Sequence, residues 1–157
     1  MAETPAAPDE AVEPQGAPMV IEGQYIKDLS FENPGGVESI ALVQRNPRVN
    51  VEINTQVRPL ADNRYEVSLF IRGEARHEER SLFIVELTYA GLFHVVNIPA
   101  DSIRPVLMIE GPRLLFPFAR NIVADCTRDG GFPPLFINPV DFVTMYQRSL
   151  AEGQAQA

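Results

Sequence analysis

The stretch LFIVELTYAGLF at residues 82–93 decides the fold, because it is apolar along most of its length. In a β-strand, successive side chains point to opposite faces, so Val85 and Leu87 share one face with their alternate neighbours. The opposite face carries Ile84 and Glu86 and therefore mixes an aliphatic side chain with a carboxylate. The first face is typical of a buried core. The second is typical either of a strand covered on both sides or of a surface to which another molecule binds.

Three earlier segments have the same two-residue period and predict three more strands. They are residues 23–32, 48–57 and 64–75, and turn sequences at 61–63 and 76–80 separate the later strands. Strands that follow one another through short connections favour an antiparallel meander. In the first strand, the alternation assigns Tyr25, Lys27, Leu29 and Phe31 to one face and Ile26, Asp28, Ser30 and Glu32 to the other.

The apolar period then becomes helical. Apolar residues recur at helical spacing within residues 113–128, and this helix is expected to begin near Asp101. Gly111-Pro112 and Pro117 are expected to kink or interrupt it, because proline has no backbone N–H. Gly130 is expected to end the helix in a left-handed conformation.

A second helix is predicted near the C-terminal end. Asn138 suits the N-cap, Pro139 suits the first helical position, and the apolar spacing continues to about Glu152. The sequence therefore predicts the α+β class. A four-stranded antiparallel sheet is followed by a long kinked helix and a C-terminal helix packed on one face.

Composition and charge favour one soluble domain. The chain has 157 residues, of which 45% are hydrophobic, and its net charge of −8 with no basic cluster argues against nucleic acid and anionic membranes. Residues 1–19 and 153–157 are predicted to be disordered tails, the first acidic and rich in Pro and Ala, which leaves residues 20–152 as the domain. A single cysteine, no secretory signal and no membrane-spanning apolar run lead us to expect a cytoplasmic protein that does not insert into membranes.

The sequence offers little that is suited to catalysis. His77 lies in a charged turn and His94 in an apolar strand, where a solvated and a hydrogen-bonded structural histidine are the simpler interpretations. Cys126 recurs at core spacing on a helix, as a small apolar residue does. No residues show metal-ligand or phosphate-loop spacing. We therefore expect a protein that is not an enzyme and has no metal and no cofactor.

Three surfaces remain as candidates for binding. Two are strand faces: the face of residues 23–32 that carries Asp28 and Glu32, and the outward face of residues 82–93. A solvated or covered strand face is the alternative for both. The third is segment 132–146, which is either a cap on the core or an apolar groove for extended peptides. Its apolar side chains are Phe132, Leu135, Phe136, Ile137, Phe142, Met145 and Tyr146.

Three separated motifs resemble those of one family, the SecB protein-export chaperones of bacteria. Residues 25–34, YIKDLSFENP, match the family pattern Y-x-K-D-x-S-F-E-x-P. LFPFAR at residues 115–120 is similar to the family's LFPYAR, and GFPPL at 131–135 followed by PVDF at 139–142 matches its crossover loop and last helix. The likeness covers about residues 20–150. The departures are a longer N-terminal tail and Gly111 before its proline.

This resemblance implies a homotetramer, built as a dimer of dimers, which binds unfolded precursor proteins without nucleotide. It also implies delivery of these clients to SecA, the ATPase of the Sec translocase. The implied SecA-binding residues are Asp28, Glu32, Ile84 and Glu86. The implied client groove contains Phe132, Leu135, Phe136, Phe142, Met145 and Tyr146. The expected oligomer interface contains Val85, Leu87, Leu115, Phe118 and Ile122.

Two other functions are compatible with the sequence. One is an α+β protein whose aromatic groove binds a small apolar ligand. The other is a SecB-like chaperone dedicated to a toxin–antitoxin system instead of general export. The sequence alone does not separate this last function from export.

Overall fold

The computed structural model describes residues 18–155 and contains the predicted α+β architecture. The elements are β1 Met19–Glu32, α1 Val37–Leu42 with a following 3₁₀ turn Val43–Arg45, β2 Arg48–Pro59, β3 Arg64–His77, β4 Arg80–Val95, α2 Ala100–Asp129 and α3 Phe142–Ala155. The four strands form one antiparallel sheet in the order β1-β4-β3-β2, and the two long helices pack on it. This confirms the predicted fold class. The short helix α1 is an element that the sequence did not predict.

The ordered elements extend slightly beyond the expected domain limits. β1 begins at Met19, which is opposite Val95 in the sheet, and α3 continues to Ala155. The remaining residues of the two predicted tails, 1–17 and 156–157, lie outside the described part of the chain. Their disorder stays a prediction.

The core lies between α2 and one face of the sheet, which we call the inner face. Val85 and Leu87 of β4 are fully buried there, as is Leu115 of α2. The stretch 82–93 is thus the central apolar strand that its alternation predicted. The opposite face, which we call the outer face, carries the polar alternate residues.

α2 is one continuous helix across its prolines, so the predicted interruption was wrong. Pro105, Pro112 and Pro117 all lie inside it. Each proline removes a helical hydrogen bond, yet the helix continues through all three positions. Gly111 and Pro112 are buried, and a Cβ atom added to Gly111 would lie 3.0 Å from a Val67 methyl group. The predicted kink in the helix axis stays a prediction.

The left-handed residue after α2 is Gly131 and not Gly130, so the predicted conformation of Gly130 was wrong. Gly131 has a φ of 96°, whereas Gly130 has a φ of −73°. The amide of Phe132 then donates to the carbonyl of Thr127 at 3.1 Å and closes the helix end. Gly130 lacks a side chain for a steric reason: an added Cβ would lie 2.3 Å from the ring of Phe31 on β1.

α3 begins three residues later than predicted. Its first residue is Phe142, and the Oδ1 atom of Asp141 accepts a hydrogen bond from the Thr144 amide at 3.1 Å. That hydrogen bond lowers the pKa of Asp141. Asn138 and Pro139 therefore lie in the connection, and their predicted role as helix start was wrong. A carboxylate caps a helix start well because it adds a favourable charge to the hydrogen bond.

β1 contains two bulges that a sequence alternation cannot show. Its register with β4 shifts between Ile21 and Gly23, and again between Ile26 and Asp28. An extra residue in one strand exchanges the two faces of that strand. The predicted faces are therefore correct for residues 28–32 and wrong before them. Tyr25 and Lys27 belong to the outer face, and Ile26 belongs to the inner face opposite Tyr89.

Candidate functional site

The four residues expected to bind SecA lie together on the outer face, and we call them the docking face: Asp28, Glu32, Ile84 and Glu86. In the β1–β4 register, Glu32 is opposite Ile84. Asp28 is four residues from Glu32, and Glu86 is two residues from Ile84, so all four side chains point to the same face. Asp28 and Glu32 are exposed, whereas Ile84 and Glu86 are half-buried. The structure thus brings together three carboxylates and one aliphatic side chain on two neighbouring strands.

Glu86 differs from the other two carboxylates because it has a counter-ion in Arg72. Arg72 is its direct partner on β3, and its Nε donates to Glu86 Oε1 at 3.1 Å. The same guanidinium binds Glu74 at 3.0 Å, and this hydrogen bond raises the pKa of Arg72. Among the described residues, Asp28 and Glu32 take part in no salt bridge. The free negative charge of the docking face therefore lies mainly on β1.

A buried carboxylate, Glu66, lies on the outer face of β3. It is 7% exposed. It accepts hydrogen bonds from the Tyr25 hydroxyl and from Lys27 Nζ, the latter at 2.9 Å, and Arg58 lies 3.5 Å away. The alternation of β1 hid this cluster, because it assigned Tyr25 and Lys27 to the inner face.

The residues expected at the oligomer interface divide into two groups. Val85, Leu87 and Leu115 are buried within the protomer, so they can affect assembly only through the packing of the core. Phe118 is 52% exposed and Ile122 is half-buried, so these two can contact another subunit directly.

An apolar surface surrounds Phe118. Its ring stacks on that of Tyr89 with centroids 6.4 Å apart, and Tyr89 is opposite Ile26 on the edge strand β1. Ile26, Leu29 and Leu114 are each between 40% and 48% exposed. We call Ile26, Leu29, Leu114 and Phe118 the assembly surface. Sequence reasoning missed Ile26 because the bulge moves it to this side of the sheet.

Two of the six expected groove residues belong to the core. Phe132 packs with Phe31 and Phe83, with ring centroids 6.1 and 4.9 Å away, and Phe142 contacts Phe116 at 5.9 Å. Both are buried, as in the core-cap interpretation. The other four reach the surface: Phe136 is 66% exposed, and Leu135, Met145 and Tyr146 are half-buried.

A cleft of about 580 Å³ lies between α3 and the edge strand β2. Its apolar wall consists of Ile53, Val140 and Met145, and the other lining side chains are polar or charged. Met145 is the one expected groove residue in its lining. The alternation of its strand identifies Ile53 as an apolar residue, but only the folded chain shows that it lies beside α3.

Thr127 fastens the crossover loop to α2. Its side chain is fully buried, and its Oγ1 accepts a hydrogen bond from the Leu135 amide at 2.9 Å. The Thr127 hydroxyl lies 3.0 Å from the carbonyls of Val123 and Ala124, to which it can donate. The sequence alone does not show whether a threonine inside a helix makes such a hydrogen bond. This bond fixes the loop that carries Leu135 and Phe136.

His94 and Cys126 were two of the residues considered for catalysis, and their contacts favour structural roles. His94 lies 3.6 Å from Glu22 at the end of the sheet. Burial raises the pKa of the Cys126 thiol, which disfavours the nucleophilic thiolate. Within residues 18–155, no group of three or more His, Cys, Asp or Glu side chains could hold a metal ion. No helix in that range is both long and apolar enough to cross a membrane.

Comparison with known proteins assigns the family. A family model described as preprotein translocase subunit SecB matches residues 12–153. The chain belongs to the SecB family. Proteins named protein-export protein SecB are similar to it over most of its length. The one from Rhodopseudomonas palustris strain BisB5 is 51% identical, covering 96% of this chain and 93% of its own. The one from Azorhizobium caulinodans is 54% identical, covering 83% and 82%.

A solved structure agrees with the SecB fold. It is a SecB-like chaperone of Mycobacterium tuberculosis in complex with a peptide from an antitoxin. It matches with a TM-score of 0.64 and 14% sequence identity, covering 78% of this chain and 90% of its own. At that identity the likeness concerns the fold alone. The family and its relatives confirm the expected function class, a protein-export chaperone, and SecB is not an enzyme family.

Proposed function

We propose that this SecB family member is a cytoplasmic holdase that binds unfolded precursor proteins without ATP and passes them to SecA. We further propose that it acts as a homotetramer, a dimer of dimers. The observation that carries the proposal is the separation of two unlike surfaces on opposite sides of one sheet. The docking face is acidic and lies outside, whereas the assembly surface is apolar and lies inside.

The docking face suits a partner segment with basic and apolar side chains. Asp28 and Glu32 are exposed and free of salt bridges within the described residues, and Ile84 supplies an apolar contact. Charge complementarity of this kind increases the association rate and weakens with salt. SecA binding should therefore depend on ionic strength.

The assembly surface supports association of protomers. Exposed large apolar side chains on a helix and on an adjoining edge strand favour burial against a second copy. Phe118 and Leu114 lie one helical turn apart on α2, and Ile26 and Leu29 extend this surface onto β1. A symmetric association would cover the same patch on both subunits.

Client binding requires many shallow apolar contacts, because unfolded clients differ in sequence. Leu135, Phe136 and Tyr146 supply such contacts near the crossover loop, and the cleft with Met145 adds another apolar wall. Phe132 and Phe142 support this surface from within the core. We therefore expect them to shape this surface without contacting the client directly.

The test mixes the purified protein with a urea-denatured precursor, dilutes the denaturant without nucleotide, and measures aggregation and complex mass. We expect a tetramer that forms a stoichiometric complex and suppresses aggregation. A monomer that leaves aggregation unchanged would contradict the proposal. Bovine serum albumin at equal mass is the control for nonspecific suppression.

The alternatives lead to different observations. A small-ligand protein would retain an apolar molecule through purification, and native mass spectrometry would detect it. A chaperone dedicated to an antitoxin would bind that antitoxin and fail to deliver export precursors to SecA. The names of the relatives, which are 51% and 54% identical, support export.

A further inference from the structure

Tyr25 and Lys27 belong to the family motif at residues 25–34 but not to the docking face. The bulge at Lys27 places both on the outer face, where their side chains reach Glu66 on β3. β4 lies between β1 and β3, so these bonds cross a whole strand. On β4, the residue opposite Tyr25 is Ala90, which is fully buried, and its small side chain leaves room for the crossing.

The charge of Glu66 makes these two cross-strand hydrogen bonds strong. Burial and the Glu66 hydrogen bond raise the pKa of Tyr25 to about 12, and the Tyr25 hydrogen bond lowers the pKa of Glu66. A neutral phenol therefore donates to an ionised carboxylate. Hydrogen bonds to a charged group are stronger than neutral ones, and loss of one partner leaves the buried carboxylate less well compensated, although Arg58 remains 3.5 Å away.

β1 needs such an attachment, because it is an edge strand with an irregular ladder. It pairs with β4 alone, and two bulges interrupt that pairing. Its inner-face residues Ile26 and Leu29 are 48% and 40% exposed in the protomer, so burial holds the middle of the strand weakly, and Phe31 packs into the core only beyond them. A slip of one residue would turn Asp28 and Glu32 to the inner face.

We propose that Tyr25, Lys27 and Glu66 form a clamp that fixes the bulge and register of β1 and thereby holds Asp28 and Glu32 on the docking face. They are positioning residues, since they act through β1 and not by contact with the partner. The functional half of this inference rests on the proposed binding of SecA. The structural half, the hold on β1, does not.

The test compares Tyr25→Phe and Glu66→Gln with a matched control, Glu22→Gln. Glu22 on β1 binds Arg64 on β3 at 2.9 Å, so its substitution also removes one carboxylate charge from a β1–β3 contact but leaves the clamp intact. Two quantities are measured: amide hydrogen exchange in residues 28–32, and affinity for SecA at fixed salt. We expect exchange to accelerate about tenfold and affinity to fall about tenfold in both clamp variants but not in the control. Exchange in α2 and client binding should not change.

Substitution at Lys27 separates positioning from general loss of stability. Lys27→Arg keeps a cation for Glu66 and should retain most of the affinity, whereas Lys27→Met should behave like Glu66→Gln. If amide exchange in residues 28–32 is equal in the clamp variants and in the control, the clamp is refuted, whatever the affinities for SecA. Accelerated exchange with unchanged affinity would overturn the positioning role. If the wild-type protein itself fails to bind SecA, the proposed docking fails, and the exchange data still decide whether the clamp holds β1.

Discussion

Gly130→Ala tests the contact between the end of α2 and β1. Gly130 has a right-handed φ of −73°, so alanine fits its backbone conformation. Conformational preference alone would favour alanine by up to about 1 kcal/mol. The added Cβ, however, would lie 2.3 and 2.4 Å from two ring atoms of Phe31.

The steric term outweighs the conformational gain. Carbon atoms rest about 3.5–4.0 Å apart, so the ring would have to move by at least about 1 Å. Phe83 and Phe132 pack against the same ring, with centroids 5.9 and 6.1 Å away, and leave it little freedom. Overpacking of a core costs about 1–3 kcal/mol. We therefore expect Gly130→Ala to lower the free energy of unfolding by about 1–2 kcal/mol.

Gly153→Ala is the matched control, because it is the same substitution on α3 with nothing within 4 Å of the added Cβ. It should leave stability unchanged or raise it by up to about 1 kcal/mol. Urea unfolding at equal protomer concentration measures both variants. In a chain of this size, about 1 kcal/mol corresponds to a shift of about 2–4 °C in Tm.

A double-mutant cycle identifies the cause. Phe31→Leu in the Gly130→Ala background should relieve the overlap, so the double variant should be more stable than the sum of the single effects predicts. A Gly130→Ala protein as stable as the wild type, or additive effects in the cycle, would refute the close contact between Gly130 and Phe31.

Three further predictions concern the proposed surfaces. Glu86→Lys should weaken SecA binding in a binding titration and leave client binding and oligomeric mass intact; unchanged SecA affinity would remove Glu86 from the docking face. Phe118→Glu should lower the oligomeric mass measured by light scattering, because it puts a charge on the assembly surface, and the circular dichroism spectrum should stay native. Val85→Asp should instead unfold the protomer, since Val85 is fully buried. Thr127→Val should accelerate hydrogen exchange of the Leu135 amide and weaken client binding. Thr127→Ser keeps the hydroxyl acceptor and should change neither quantity. Equal exchange of the Leu135 amide in the two variants would contradict the role of that bond.

Alternation and helical spacing determined the element types, because side-chain direction in strands and helices is a local property. The period of two in residues 48–57, 64–75 and 82–93 predicted the meander and the buried face that carries Val85 and Leu87. Three motifs in the right order also indicate the SecB family from the sequence alone. Alternation also placed Asp28 and Glu32 on one strand face, because β1 is regular over residues 28–32, whereas the family resemblance implied their role in docking.

Only the tertiary structure decided which of these residues meet one another. The bulge at Lys27 turns Tyr25 outward to Glu66 and Ile26 inward beside Tyr89, and nothing in the alternation of β1 indicates an extra residue. Likewise, Val85 and Phe118 are both apolar in the sequence, yet one is fully buried and the other is 52% exposed. The physical reason is that burial, bulges and buried hydrogen bonds depend on how distant segments pack, whereas periodicity reports only each segment's own geometry.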